Sequence, residues 1–326
     1  MSELMKAENI TKIFVTSKSF IGRKQVTTAV ENFNLSIEEE KPEVISIVGE
    51  SGSGKTTIAR ILLGLIKPTS GVVYYRGKDI LKLNKTEQKE YRRNVQAIFQ
   101  DPYAAFNPLH TVEHSIEISL KKFGLANDSA SLRTLIEESL QEVGLKYNEI
   151  IGKYPHQLSG GERQRVMVAR AFALKPKLII ADEPVSMLDA SIRANVLNIM
   201  KDLKERWGIC FIYITHDLST SYYIGDRIMV MHRGRVVERG LTDEVLTNSL
   251  HPYTRLLLES IPLPDPEKRW RIKTDTFGSA RTELETEETA KGCKFYSKCP
   301  WRMEKCKTET PILRAVSKSE VACFLY

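Results

Sequence analysis

The chain has 326 residues, of which 42% are apolar and 27% charged, with a formal net charge of +7. This balance excludes a disordered chain and leaves ample core for one large or two modest domains. No aliphatic run approaches the roughly 20 residues of a bilayer-spanning helix. The first residues also lack the apolar segment of a secretory signal, so the expected protein is soluble or membrane-peripheral and cytosolic.

In chain order, residues 4–15 and 26–37 alternate apolar and polar side chains, which predicts antiparallel strands. Val44-Ile45-Ser46-Ile47-Val48, Leu178-Ile179-Ile180-Ala181 and Cys210-Phe211-Ile212-Tyr213-Ile214 are continuous apolar runs. Such runs, separated by helical segments, predict a parallel sheet covered on both faces. Residues 112–143 read as helical, with Leu132, Leu135, Ile136, Leu140 and Val143 at helical spacing and Gly144 as a stop. This block interrupts the strand series as a helical subdomain. Residues 227–231 and 235–238 flank Gly234 as a hairpin. Pro262, Pro264 and Pro266, followed by the polar, mostly acidic stretch 281–290, predict a linker. From residue 291 onward, eight Lys or Arg against three Asp or Glu give +5. A solvated or metal-compensating surface explains that tail better than a nucleic-acid or membrane footprint, because the rest of the chain is nearly balanced.

Gly49-Glu50-Ser51-Gly52-Ser53-Gly54-Lys55-Thr56 fits G-x-x-x-x-G-K-[ST], the P-loop pattern, between an apolar strand and a helical run from Ile58 to Leu65. Glycines let backbone N–H groups close round phosphate oxygens, and the helix N-terminus adds partial positive charge. In this pattern Lys55 reaches the β- and γ-phosphates, and Thr56, with Thr57 beside it, brings a hydroxyl to Mg²⁺. The strand at 178–181 ends in two acids: Asp182 to hold the metal, and Glu183 to activate an attacking water as general base. His216 directly follows the strand at 210–214, at the end where open parallel sheets bind ligands, within reach of the γ-phosphate. Ser159 and Glu162 form a capping box for a helix expected over 162–173, a structural reading sufficient in itself. Gly160 and Gly161 at that positive helix end also make a second anion site. Two phosphate-binding devices in one chain suggest a composite site shared by two molecules.

The P-loop, Gln100, Leu158-Ser159-Gly160-Gly161-Glu162, Asp182-Glu183, Ser186-Met187-Leu188-Asp189 and His216, in that order, resemble an ABC transporter ATPase domain over about residues 1–260. The resemblance implies an α/β P-loop domain with an antiparallel β subdomain and a helical subdomain at about 102–175. It also implies a head-to-tail ATP sandwich dimer. In it Ser159, Gly160 and Gly161 contact ATP held on the partner's P-loop, and Asp189 lies at the dimer seam. Gln100 reaches Mg²⁺ and senses a transmembrane partner. The family's adenine-stacking aromatic falls at Phe14, although a half-buried strand aromatic explains Phe14 equally well. Glu162 stands where the family more often has Gln, which leaves the Ser159 and backbone contacts to phosphate in place.

Gln100-Asp101-Pro102-Tyr103-Ala104-Ala105-Phe106-Asn107-Pro108 and His251-Pro252-Tyr253-Thr254 resemble the ATP-binding subunits of oligopeptide/dipeptide importers, whose small C-terminal Cys-rich extension matches residues 261–326. This narrower resemblance implies ATP hydrolysis coupled to binding-protein-dependent import of peptides or a related solute, nickel and oligosaccharides included. The implied partners are a second ATPase subunit (a paralogous chain, or a second copy), two transmembrane permease subunits and, indirectly, an extracellular solute-binding protein, with no nucleic acid. The implied location is peripheral, on the cytoplasmic face of the cell membrane. An ABC ATPase acting on nucleic acid or ribosomes is the alternative, but it would be expected to carry coiled coils or two fused cassettes. An exporter ATPase would not be expected to share the tail.

Of five cysteines, Cys210 lies in an apolar run and reads as core. Cys293, Cys299, Cys306 and Cys323 cluster in the tail, which in a cytosolic chain reads as a metal site before disulfides. Their spacings, C-x5-C, C-x6-C and C-x16-C, lack the tight pair usual in structural zinc sites and match neither common ferredoxin pattern. The resemblance favours a [4Fe–4S] cluster, with Zn²⁺ next and unpaired structural thiols last. The expected role is to fix a tail too small to build its own core.

Overall fold

The computed structural model describes residues 3–17, 24–102, 104–261 and 292–326. The expected linker at 262–290, Met1, Ser2 and Tyr103 lie outside the described residues.

Strands β1 (Glu3–Ser17) and β2 (Lys24–Glu38) pair antiparallel, as their alternation predicts. After β3 (Val44–Val48) comes helix α1 (Lys55–Leu62), then β4 (Ser70–Tyr75), β5 (Lys78–Asp79), α2 (Lys85–Asn94) and β6 (Val95–Ile98). The helix after the P-loop thus starts and ends earlier than expected. Gly54, left-handed at φ 102°, is its N-cap, and Gly64 at φ +68° turns the chain so that Leu65 is exposed. Asn84 and Glu87 form a reciprocal capping box that starts α2.

The helical block holds α3 (Val112–Phe123), α4 (Ser129–Glu142), α5 (Tyr147–Ile150) and α6 (Gly160–Phe172). Left-handed Gly124 ends α3, and the Ser159–Glu162 capping box starts α6. There follow β7 (Leu178–Asp182), α7 (Ala190–Trp207), β8 (Cys210–Thr215), α8 (Leu218–Ile224), β9 (Arg227–His232), β10 (Arg235–Leu241), α9 (Thr242–Thr247) and α10 (Pro252–Glu259). The tail adds α11 (Glu304–Thr308), β11 (Arg314–Val316) and β12 (Ser319–Val321).

Two sheets result. One is antiparallel with order β2-β1-β4-β5; the other has eight strands in the order β11-β12-β10-β9-β3-β8-β7-β6. In the large sheet β9, β3, β8, β7 and β6 are parallel, and β10, β12 and β11 continue it antiparallel. The continuous apolar strands serve two cores by alternation. Ile45, Ile47, Leu178, Ile180, Ile212 and Ile214 pack with α1 and the small sheet, while Val44, Ile179, Ala181, Phe211 and Tyr213 pack with the helical block. A third cluster, built on Val48, Val230, Val237, Tyr253 and Phe295, joins the tail to the large sheet. The tail therefore shares the core of the chain, which its composition alone does not reveal.

Candidate functional site

The parallel strands β3, β8, β7 and β6 have aligned C-terminal ends: Val48 lies beside Thr215, Ile214 beside Asp182 and Ala181 beside Ile98. The loops leaving those ends carry the P-loop, His216, Asp182-Glu183 and Gln100 into one crevice.

The P-loop fits only with glycine at its corners. A β-carbon on Gly49 would lie 2.1 Å from the Met231 carbonyl oxygen, and one on Gly54 would lie 2.2 Å from that of Ala29. Lys55 Nζ donates to the carbonyl oxygens of Gly49 (2.7 Å) and Glu50 (2.9 Å). Burial pulls the Lys55 pKa down, and the charges of Glu183, Asp182 and Glu50 oppose that shift. The first N–H groups of α1 have no intrahelical partner and point toward the loop, with the positive end of the helix behind them.

Thr56 bonds the Asp182 carboxylate, whose pKa is pushed up chiefly by burial. Its Oδ1 is buried without a hydrogen-bond partner. A buried, acceptor-only oxygen next to a hydroxyl fits a hard, oxygen-seeking divalent cation such as Mg²⁺. Glu183 sits at φ +48°, with its amide donating to the Ile214 carbonyl at 2.8 Å. Its carboxylate has two partners: Oε2 accepts from Gln100 Nε2 at 3.3 Å, and Oε1 lies 3.2 Å from His216 Nδ1. The crevice thus assembles Lys55, Thr56, Asp182, Glu183, Gln100 and His216. Ser51 and Gly52 are exposed on the loop, Ser53 is buried under it and Thr57 is half-buried in the first turn of α1.

Ser159, Gly160 and Gly161 are not part of this group. Their helix, α6, packs on the sheet face opposite α1. The capping box is formed, with the Glu162 amide donating to Ser159 Oγ (3.2 Å) and the Ser159 amide to Glu162 Oε2 (2.8 Å). The two glycines pack against Leu188 and Ile192, flanking Asp189, the N-cap residue of α7. Arg193 bonds the Leu188 carbonyl and Asp217, tying this loop to the segment after His216. Phe14 is 40% exposed on the β1–β2 hairpin, with Lys12 Nζ 5.2 Å from its ring centroid.

The descriptions "ABC transporter" and "Oligopeptide/dipeptide transporter, C-terminal region" match residues 30–186 and 237–306. The chain is 41% identical over 310 residues to YkfD of Bacillus subtilis, a putative oligopeptide transport ATP-binding protein, covering 94% of this chain and 92% of that one. The chain belongs to the ABC transporter ATP-binding proteins. Within that family it is 38% identical over 325 residues to the dipeptide transport ATP-binding protein DppF of Escherichia coli, covering 98% of this chain and 94% of the relative. Its fold matches the ATP-binding cassette MJ0796, a dimeric structure bound to ADP and Pi, with a TM-score of 0.63 and 31% identity over 73% of this chain and 98% of that one.

Three further features of this ABC ATPase lie outside the crevice, and of them only the cysteine cluster was expected from the sequence. A groove of about 620 Å³, lined by Leu65, Leu81, Tyr91, Arg92, Gln96 and Phe99 among others, lies next to Gln100, with Leu65, Leu81 and Phe99 exposed. The fully buried Tyr253, noted only as part of a signature, accepts a hydrogen bond from the Glu50 amide of the P-loop through its hydroxyl at 3.0 Å. Cys293, Cys299, Cys306 and Cys323 all line one narrow cavity, walled by His251, Phe295 and Trp301 among others. Burial pushes the Cys293 thiol up to about 11 and raises those of Cys299 and Cys323. As the side chains stand, no group of three or more His, Cys, Asp or Glu among the described residues is close enough to hold a metal ion. Cys210 is core, 1% exposed, as its apolar run predicts.

Proposed function

We propose that this chain is the ATP-hydrolysing subunit of a binding-protein-dependent ABC importer for peptides or a related solute. The observation that carries the catalytic reading is the Glu183 carboxylate, held between Gln100 and His216 beside the Lys55–Thr56–Asp182 group. The glycine-rich loop and the start of α1 hold the phosphates of ATP, and Lys55 turns from its two carbonyls to the β- and γ-phosphates. Thr56, Asp182 and Gln100 hold Mg²⁺, which neutralises phosphate charge. Glu183 orients a water against the γ-phosphorus and takes its proton, while His216 holds the γ-phosphate. Phe14, exposed on its hairpin, stacks on adenine.

Because α1 and α6 occupy opposite faces of the sheet, one chain does not bring both phosphate-binding devices to one nucleotide. This supports a head-to-tail pair of ATPase subunits, with Ser159, Gly160 and Gly161 completing the partner's site and Asp189 at the seam. The partner is a paralogous chain or a second copy. The groove beside Gln100 takes a cytoplasmic segment of one of the two permease subunits, because its exposed apolar rim is continuous with the residue that touches Glu183. No helix among the described residues is long and apolar enough to cross a membrane, which accords with a peripheral place on the cytoplasmic face.

For the tail, residues 261–326, the reading is a [4Fe–4S] cluster on the four cysteines, with Zn²⁺ as the alternative. In its favour, all four thiols face one cavity. A single zinc ion draws thiolates into a tight tetrahedron, whereas a cluster spreads its ligands round a wider core. An ATPase working on nucleic acid or ribosomes is not favoured, since relatives that match almost the whole chain are named for peptide transport.

The test is affinity purification of the chain from detergent-solubilised native membranes, with mass spectrometry of what accompanies it and assay of phosphate release. Recovery of two permeases, a further ATPase and a solute-binding protein supports the importer. Recovery of soluble partners alone, with the chain absent from membranes, overturns it.

A further inference from the structure

The peptide unit between Gly49 and Glu50 is held from two sides. Its carbonyl oxygen accepts from Lys55 Nζ at 2.7 Å, and its N–H donates to the Tyr253 hydroxyl at 3.0 Å. Tyr253 comes from α10, some two hundred residues later in the chain. Its fully buried ring packs 4.3 Å from the His232 ring and 5.6 Å from Phe295, centroid to centroid. The His251 Nδ1 atom accepts the Tyr253 amide at 3.0 Å, and Glu238 accepts the amides of Leu250 and His251 (2.7 and 3.0 Å). Burial holds the phenol at about 12, so it stays protonated and neutral across ordinary pH.

The other end of the P-loop is held through the same tail. The Ser53 carbonyl accepts from the Gly234 amide at 2.9 Å, and the neighbouring Arg233 carbonyl accepts from Lys294 Nζ at 2.8 Å. Lys294 also pairs with Glu31 at 2.8 Å, and Glu31 is bonded by Arg235 on the far side of the same turn. Both corners of the phosphate loop thus lean on residues after position 250.

We propose that α10 and the C-terminal extension together brace the P-loop, with Tyr253 of α10 as the positioning residue that sets the Gly49–Glu50 peptide plane, and through it the Lys55 ammonium, for MgATP. This rests on the ATPase reading above. A part-buried amide that loses this acceptor reorients or admits water, and the carbonyl on the same rigid plane moves with it. Lys294 is the weaker second strut, because its ion pair is partly exposed.

The experiment uses the full chain as wild type, Tyr253→Phe and Lys294→Ala. Phe keeps the ring and its packing and removes only the hydroxyl. Three quantities are read: the MgATP dissociation constant, the split between KM and kcat, and hydrogen exchange of the 49–55 segment. In Tyr253→Phe the dissociation constant and KM are expected to rise about 3- to 10-fold, the loss of one part-buried hydrogen bond. At the same time kcat stays within about twofold and exchange of the segment quickens. In Lys294→Ala the rise is about twofold or less. A Tyr253→Phe chain that melts lower but binds MgATP as the wild type does overturns the brace, as does unchanged exchange in the segment. Should Tyr253→Phe fail to fold, Lys294→Ala carries the test by the same exchange measurement. If the wild type binds no MgATP, the ATPase reading falls and the brace with it; if it binds and the variants bind equally, the brace alone falls.

Discussion

The nucleotide crevice and the cysteine cavity are joined through Tyr253, yet they are built on opposite terms. In the crevice almost every polar group already has a protein partner: Lys55 has two carbonyls, Asp182 has Thr56, and Glu183 has Gln100 and His216. The exceptions are Asp182 Oδ1, the atom assigned to a cation, and Ser53 Oγ beneath the loop. Four cysteines line the cavity with aromatic residues, and burial pushes the Cys293 thiol up. A site whose partners stand on strand ends is rigid before its ligand arrives; a cysteine group on short tail elements, as proposed for a metal, would take its final shape from what it bound.

The comparison breaks most sharply at Glu183. In Glu183→Gln, phosphate release is expected to fall by about 100- to 1,000-fold, the loss of a general base, with nucleotide binding retained. Near wild-type turnover would remove the crevice's chemical centre. On the cavity side, Cys323→Ser is expected to lose bound metal and to lower the melting temperature by about 5 °C, read by iron and zinc analysis beside a thermal scan. An unchanged melting curve and metal content would mean that the thiols are merely structural. Ser159→Ala sharpens the difference between the two phosphate devices. The lost cap costs about 1 kcal/mol, about 1–2 °C in melting temperature for a chain of this size. Phosphate release should fall while ATP binding by the isolated chain persists, because Ser159 serves the other subunit's nucleotide.

The smallest effect concerns the strut between the two regions. Arg235, helped by Lys294, holds the Glu31 carboxyl at about 2 instead of its ordinary 4.5. A depressed carboxylate lends stability that is complete above about 4.5 and lost as pH falls toward 2. Glu31→Gln should therefore lower the melting temperature slightly at neutral pH, where the pair contributes fully, and flatten the acid side of the profile, so that the variant and the wild type converge as pH falls toward 2.

Much of the crevice was legible because its signals are local. A continuous apolar run followed by Gly-x-x-x-x-Gly-Lys-Thr or by Asp-Glu states both the element and the side chain it presents at the strand's end. The capping pairs Ser159–Glu162 and Asn84–Glu87 are equally local. What stayed hidden is what the chain brings together from afar. Nothing near Glu50 says that its amide faces Tyr253, and nothing in Arg-Ala-Val or Ser-Glu-Val says that three-residue strands will extend the large sheet. The split of roles between Asp182 and Glu183 was legible, since adjacent residues point different ways, but nothing in the sequence announces the left-handed backbone at Glu183.

The pairing of β12 with β10 has a further consequence. Glu238, Arg239 and Gly240 meet Val321, Glu320 and Ser319 in register, and the Ala322 amide closes on the Val237 carbonyl. The tail thus hems the large sheet, and the strand it leaves outermost, β11, is three residues long and starts at the exposed Arg314. A short, charged rim is a poor template for another chain, whereas the bare edge of β10 would be a good one. A chain stopped before the tail would therefore offer its neighbours a row of unpaired backbone groups, and self-association would compete with folding.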